Sequence, residues 1–267
     1  MRKLIFGLLV LLPITMSCTE DEDKIIQTDL STEASQLFKI TTSWSENIYF
    51  AMTPYNEYLL NDSLLLPGKP MVSIDSVVSE VTLTFHPDSL ASQAGKFKRS
   101  GILYLRFLNF GEVDEKVYMT YKDYSFEGDT IIGSREFLKT DSISYIESFS
   151  GLTHTTPQEL TTMVSGEFSH TKKIINNNLV SITSTGQLWG RNPAGREFSI
   201  LTTRPHQFLK FCIEKNQILP NIGDENWMVS RGGVKSVNYK MNYDATDSCR
   251  VEAHATLPDG KRLLLNP

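Results

Sequence analysis

Over residues 237–244, apolar and polar side chains trade places at every step. Val237, Tyr239, Met241 and Tyr243 alternate with Asn238, Lys240 and Asn242. A period of two belongs to a β-strand, with one face apolar and the other wet. The same rhythm sets Val81, Leu83 and Phe85 against Thr82, Thr84 and His86. It also sets Val117, Met119 and Tyr121 against Tyr118, Thr120 and Lys122. Turn signals punctuate these runs at Gly111-Glu112, Glu127-Gly128-Asp129, Asn176-Asn177-Asn178, Pro193-Ala194-Gly195, Arg231-Gly232-Gly233 and Pro258-Asp259-Gly260. Asn and Gly tolerate the positive φ that tight turns need. Further strands are expected over 102–110, 142–149, 159–173, 179–188, 196–203 and 208–214, with a loop over 216–226. Strands recurring through short turns define a mainly β fold. The expected architecture is a large antiparallel meander of hairpins, sandwich-like or curled, over residues 71–267. The alternation leaves open whether it closes into a barrel.

A short helical segment is expected ahead of the sheet, over 31–66. Ser31 can cap it, and Glu33 and Ala34 favour a first turn. Leu37, Ile40, Ile48, Ala51 and Met52 fit one or two helices, and Pro54 either enters a first turn or breaks the segment. The competing reading is loop plus strand, because Phe38, Ile40, Thr41 and Thr42 are β-prone.

The N-terminus reads as a processing signal. Arg2 and Lys3 precede an apolar run over 4–14 that is too short to span a bilayer as a helix. Thr15-Met16-Ser17-Cys18 follows, a small residue just before a Cys. This resembles a bacterial lipoprotein cleavage site. It implies removal of residues 1–17, acylation of Cys18 and attachment to the membrane through that lipid. Residues 18–30 then form a flexible tether that opens on Glu20-Asp21-Glu22-Asp23. An acidic run at that place is similar to the surface-export signal of lipoproteins of the Bacteroidetes group. The implied location is the outer membrane, lipid-anchored and facing the cell exterior.

Charge narrows the partners. The chain carries 26 Lys and Arg against 31 Asp and Glu. Loss of Arg2 and Lys3 leaves 24 against 31, a net of −7. Nucleic acid is not expected as a partner, because phosphate binding needs a basic patch. An acidic body is also repelled by an anionic surface, so anchoring falls to the lipid.

Two cysteines remain after Cys18, namely Cys212 and Cys249. An exported chain meets an oxidising compartment, where such a pair persists as a disulfide. The alternative is two separate buried thiols.

Two groups of segments carry a wider resemblance. The first comprises Val81-Thr82-Leu83-Thr84-Phe85, Lys98-Arg99-Ser100-Gly101-Ile102-Leu103-Tyr104 and Tyr124-Ser125-Phe126-Glu127-Gly128-Asp129. The second runs from Cys212 through Trp227-Met228-Val229-Ser230 to Cys249 and Pro258-Asp259-Gly260. Together, over about residues 75–267, they resemble a family of uncharacterised Bacteroidetes surface lipoproteins built of successive hairpins. The resemblance implies an all-β lipoprotein and no established activity. Where members carry a Cys after their first strand, this chain has Pro87-Asp88-Ser89.

No catalytic, cofactor or metal motif is recognisable. Arg231-Gly232-Gly233-Val234 lacks the Lys of a phosphate loop and reads as a turn. His86, His154, His170, His206 and His254 are scattered, without metal-ligand spacing. Arg250, Glu252 and His254 read as a solvated network on the polar face of a strand. Of the three tryptophans, Trp227 fits core packing, while Trp189 precedes the loop Gly190-Arg191-Asn192-Pro193 and is the best placed to stack on a ligand. Three functions follow: a non-enzymatic surface module that binds or scaffolds, a glycan-binding accessory of carbohydrate uptake, or a secreted hydrolase with dispersed carboxylates. The first is the expectation, with a glycan or a surface protein as partner. An aromatic platform favours the second, and a pocket with a triad or paired carboxylates favours the third.

Overall fold

The computed structural model describes residues 29–60, 65–86, 97–176 and 178–265. The expected signal peptide, Cys18, nearly all of the tether and Pro87-Asp88-Ser89 lie outside the described residues. So does Asn177, the middle of the expected hairpin tip.

The chain opens with helices α1 (Leu30–Ser45), α2 (Ile48–Met52) and α3 (Tyr55–Leu60). Strands β1 (Met71–Asp75), β2 (Glu80–Phe85), β3 (Arg99–Leu108), β4 (Lys116–Phe126), β5 (Asp129–Ile132), β6 (Ser134–Lys139), β7 (Ser144–Thr155), β8 (Thr161–Ile175), β9 (Asn178–Arg191) and β10 (Glu197–Leu209) follow. One helical turn, α4 (Lys210–Ile213), precedes β11 (Ile222–Ser230), β12 (Ser236–Ala245), β13 (Val251–Thr256) and β14 (Arg262–Leu264).

The helical reading of the first segment holds. Its cap is Asp29 rather than Ser31: the Asp29 carboxylate accepts from the backbone N–H of Ser31 and Thr32 at 3.0 and 3.3 Å. Asp is as good an N-cap as Ser, and its charge suits the helix N-terminus. Residues 40–53 are buried without exception. Helical segments buried on all sides, as α2 and the last turn of α1 are, must be enclosed by other elements, and the sheet encloses these.

All fourteen strands form one antiparallel sheet, and consecutive strands are neighbours almost throughout. The exception is β5 and β6, which together occupy one lane between β4 and β7. Residues 124–126 of β4 pair with β5, and residues 116–120 pair with β6. Gly133 separates the two at φ +132°, a backbone angle that a side chain strains against. Among the described residues β1 pairs only with β2 and β14 only with β13, so the curl has two edges. The sheet is therefore curled rather than a two-layer sandwich. Its concave face meets α1 from β5, β6, β7, β8, β10, β11 and β12. Helices and strands share one hydrophobic core that runs from Ala34 and Trp44 through Phe85 and Phe137 to Trp227 and Tyr243.

The alternations read from the sequence point as expected: Val81, Leu83, Phe85, Tyr239, Met241 and Tyr243 are buried. The expected strand over 208–214 is not formed. β10 stops at Leu209 and the chain turns into α4, because Cys212 and Ile213 are both buried and consecutive strand residues cannot face one side. The expected loop over 216–226 gives up its second half to β11. Gly223 permits this: a Cβ there would stand 2.3 Å from the His206 ring. β10 also runs six residues beyond the strand expected over 196–203. It carries register shifts between Thr202 and Gln207, where Pro205 costs no ladder hydrogen bond.

Candidate functional site

The concave face is less apolar than its alternation predicts. Charged and polar residues occupy inward positions on strand after strand, and most of them reach α1 or the bend after it. Glu46 accepts from the Arg99 Nε at 2.8 Å and from the Tyr124 hydroxyl at 2.6 Å. Arg99 donates again to Asn216 Oδ1 at 2.7 Å. Near the first turn of α1, Glu33 takes both guanidinium nitrogens of Arg231 and the Tyr239 hydroxyl.

The densest cluster surrounds Trp44. Arg135 Nε donates to Glu147 at 2.6 Å, and Arg135 Nη1 donates to the Trp44 carbonyl at 3.0 Å. The Trp44 indole N–H points at both Glu147 oxygens, at 3.2 and 3.1 Å. His170 bridges Glu147 at 2.9 Å and Ser184 at 2.7 Å. Burial works to raise the Glu147 pKa, but Arg135 and His170 outweigh it and hold the carboxyl below its usual range. Glu147 is thus a buried carboxylate whose charge is matched and whose oxygens are satisfied.

Glu225 differs. Thr41, Trp227 and Tyr243 donate to it, yet no cation neutralises it, and burial pushes its pKa up to about 7. His206 Nε2 lies 3.3 Å from Glu225 Oε1, and burial pushes that imidazole down to about 3. A neutral histidine beside a carboxyl that readily takes a proton is the state in which this dry spot carries no charge.

Ser43, His154 and Asp129 also converge. Ser43 Oγ and Asp129 Oδ2 lie 3.1 and 3.5 Å from the same ring nitrogen, His154 Nε2. A hydrolytic relay needs the acid on the opposite nitrogen, where it can orient the base. The geometry is that of a hydrogen-bonded core cluster, and burial lowers the His154 pKa. Asp129 contacts Lys39 at 3.4 Å, and its Oδ1 is buried with no hydrogen-bond partner.

Asp129 and Lys39 line a cleft of about 710 Å³ beside α1. One wall is the hydroxyl and amide face of α1, with Ser31, Ser35, Gln36 and Thr42. The other is apolar, with Phe126, Leu160, Leu263 and Leu265 from β4, the start of β8 and the C-terminal edge. Concave sites that hold small molecules have this size and this mixture of an apolar wall with a few polar groups.

Several expected positions can be located. Cys212 and Cys249 form a disulfide, with Cα atoms 5.2 Å apart, tying α4 to the β12–β13 turn. Trp189 points outward on the convex face and is 37% exposed, between Ser165 of β8 and Ser199 of β10. Trp227 is fully buried, as expected, and Trp44 is buried as well. His254 meets Glu252 at 3.2 Å on a half-buried face. Among the described residues no group of His, Cys, Asp and Glu could hold a metal ion. No described helix is long and apolar enough to cross a membrane.

Sequence reasoning treats His154, His170 and His206 as scattered, and the fold gathers all three around α1. One signal marks them: a charged or imidazole side chain standing in the inward phase of an alternating strand. Examples are Glu147 between Tyr145 and Phe149, Arg135 before Phe137, and His170 after Phe168.

No family model, curated protein or solved structure matches this chain.

Proposed function

We propose that the chain is a non-enzymatic lipoprotein of the outer membrane, anchored through Cys18 and facing the cell exterior, that binds a ligand in the cleft beside α1. The N-terminal signal and the acidic tether support the anchoring. The resemblance to hairpin-built Bacteroidetes lipoproteins supports the location. The cleft itself carries the binding half of the reading. Its apolar wall suits a largely uncharged ligand, and Ser31, Ser35 and Gln36 on the α1 wall suit hydrogen bonds to that ligand. Titration of the folded protein with the neutral apolar dye Nile red tests this. Saturable binding of one dye per chain is the expected result, and its absence contradicts the reading.

The exposure of Trp189 favours a second reading, as a glycan-binding accessory of carbohydrate uptake. Its cross-strand neighbours are the small residues Ser165 and Ser199, and Gln187 lies on the same outward face of β9. Aromatic rings that combine exposure with polar neighbours can stack on sugars while hydroxyl groups are hydrogen-bonded alongside. A glycan array gives hits that Trp189→Ala abolishes if this reading holds, and no hits if it fails.

A further inference from the structure

Lys172 is the last inward-facing residue of β8, following Thr162, Val164, Gly166, Phe168 and His170 in the buried phase. Only 6% of it is exposed. Its ammonium lies over the Tyr145 ring, 4.3 Å from the centroid, and donates to the Tyr145 hydroxyl at 3.2 Å. Among the described residues no carboxylate stands within ion-pair distance of it. A buried cation with one neutral hydrogen-bond partner has two N–H directions left, and a dry site makes leaving them unused costly.

Those directions have somewhere to go. Lys172 lines a separate cavity of about 270 Å³ beyond the C-terminal end of α1. Lys139 and Lys210 also line it, as do the apolar side chains of Met52, Phe110 and Leu179. Two carboxylates face it, Glu57 and Glu115. Lys139 already holds Glu115 at 3.3 Å, and Lys210 holds Glu214, outside the cavity wall, at 3.7 Å. Lys172 is the lysine left without a counter-ion.

We propose that this cavity is a second binding site, distinct from the cleft beside α1, for a small organic anion: a carboxylate on an apolar body. The carboxylate accepts from the Lys172 ammonium and supplies the missing counter-charge. The apolar body lies against Met52, Phe110 and Leu179. The volume suits a ligand of about the size of an aromatic acid rather than a polymer or a lipid. Tyr49 and Tyr145 stay protonated near neutrality, since burial raises both, and so add no negative charge. Burial lowers the Lys172 pKa to about 8, so the ammonium and the site are lost together in mildly alkaline solution.

Calorimetric titration of the full chain with sodium benzoate tests the proposal. Benzoate is expected to bind saturably near pH 7 and to weaken as the pH is raised through about 8. Lys172→Met keeps the buried stem and removes the charge; it should weaken binding about tenfold or more. Ser142→Trp fills the cavity from an exposed position and should abolish binding, which keeps the test decisive if Lys172→Met fails to fold. Benzoate binding that both variants leave unchanged overturns the assignment, as does the absence of saturable binding. Binding of inorganic phosphate in place of benzoate overturns the organic-acid class.

Discussion

The Trp44 indole lies on the Phe168 ring, with 3.8 Å between ring centroids and planes 23° apart, while its N–H points at the Glu147 carboxylate. One side chain of α1 thus joins an apolar stack on β8 to a charged pair on β6 and β7. Trp44→Ala removes both from a buried site, and is expected to cost roughly 3–5 kcal/mol. Trp44→Phe keeps the stack and drops the N–H, for about 1–3 kcal/mol. Urea unfolding of the two variants checks the order; equal losses would place the whole effect in the hydrogen bond to Glu147.

The Cys212–Cys249 bond closes a loop with a sequence separation of 37. In the chain-entropy account such a closure contributes about 3–4 kcal/mol, less any strain. Replacing both cysteines with serine should lower the denaturation midpoint by a corresponding amount. Alkylation and mass measurement under non-reducing conditions should find no free thiol at Cys212 or Cys249.

Glu225 makes stability depend on pH. Its folded pKa, about 7, stands above its ordinary value of 4.5. The protonated form therefore contributes stability that is whole below about pH 4.5 and is lost as pH rises through 7. His206 acts in the opposite sense: its folded pKa of about 3 lies below the ordinary 6.5, so its contribution is whole above 6.5 and is lost as pH falls toward 3. Glu225→Gln removes the first effect and retains the second. Between pH 4.5 and 7 the variant should gain on the natural chain by up to roughly 3 kcal/mol, read from urea unfolding at each pH. A difference that stays flat over that range would mean Glu225 titrates normally.

The sheet was legible because its buried face keeps strict time. Val81, Leu83 and Phe85, like Tyr239, Met241 and Tyr243, have only one way to be buried together. The start of α1 was legible to within two residues, since several polar residues there can cap and Asp29 does so. The enclosure of α1 was not legible. Thr41 meets Glu225, and Glu33 meets Arg231, across separations of 184 and 198 residues, which no local pattern encodes. The end of β10 was misread because Phe208 continues the apolar phase, whereas the packing of α4 beside the disulfide decides the backbone. Trp189 is exposed because it stands in the outward phase of β9, which runs on to Arg191; the loop expected from Gly190 begins only at Asn192. The cleft could not be anticipated, because it takes one wall from α1 and another from the far end of the chain.

The proposed anchoring rests on Cys18. Cys18→Ala removes the only site the proposed acylation can use, and the protein should move from the membrane fraction to the soluble one. Unchanged fractionation would rule out the lipid anchor and leave the ligand cleft unaffected.

The cleft beside α1 is the centre of this account, and Ser35→Trp tests it most directly. Ser35 is half-buried on the cleft-facing side of α1, where its hydroxyl bonds only the Ser31 carbonyl at 2.9 Å. Ser35 lies outside the hydrogen-bonded cluster around Trp44, so the unfolding midpoint should change little. Nile red should bind the natural chain saturably and the Ser35→Trp chain at least tenfold more weakly. Equal binding by the two folded chains would place the ligand elsewhere and contradict the account.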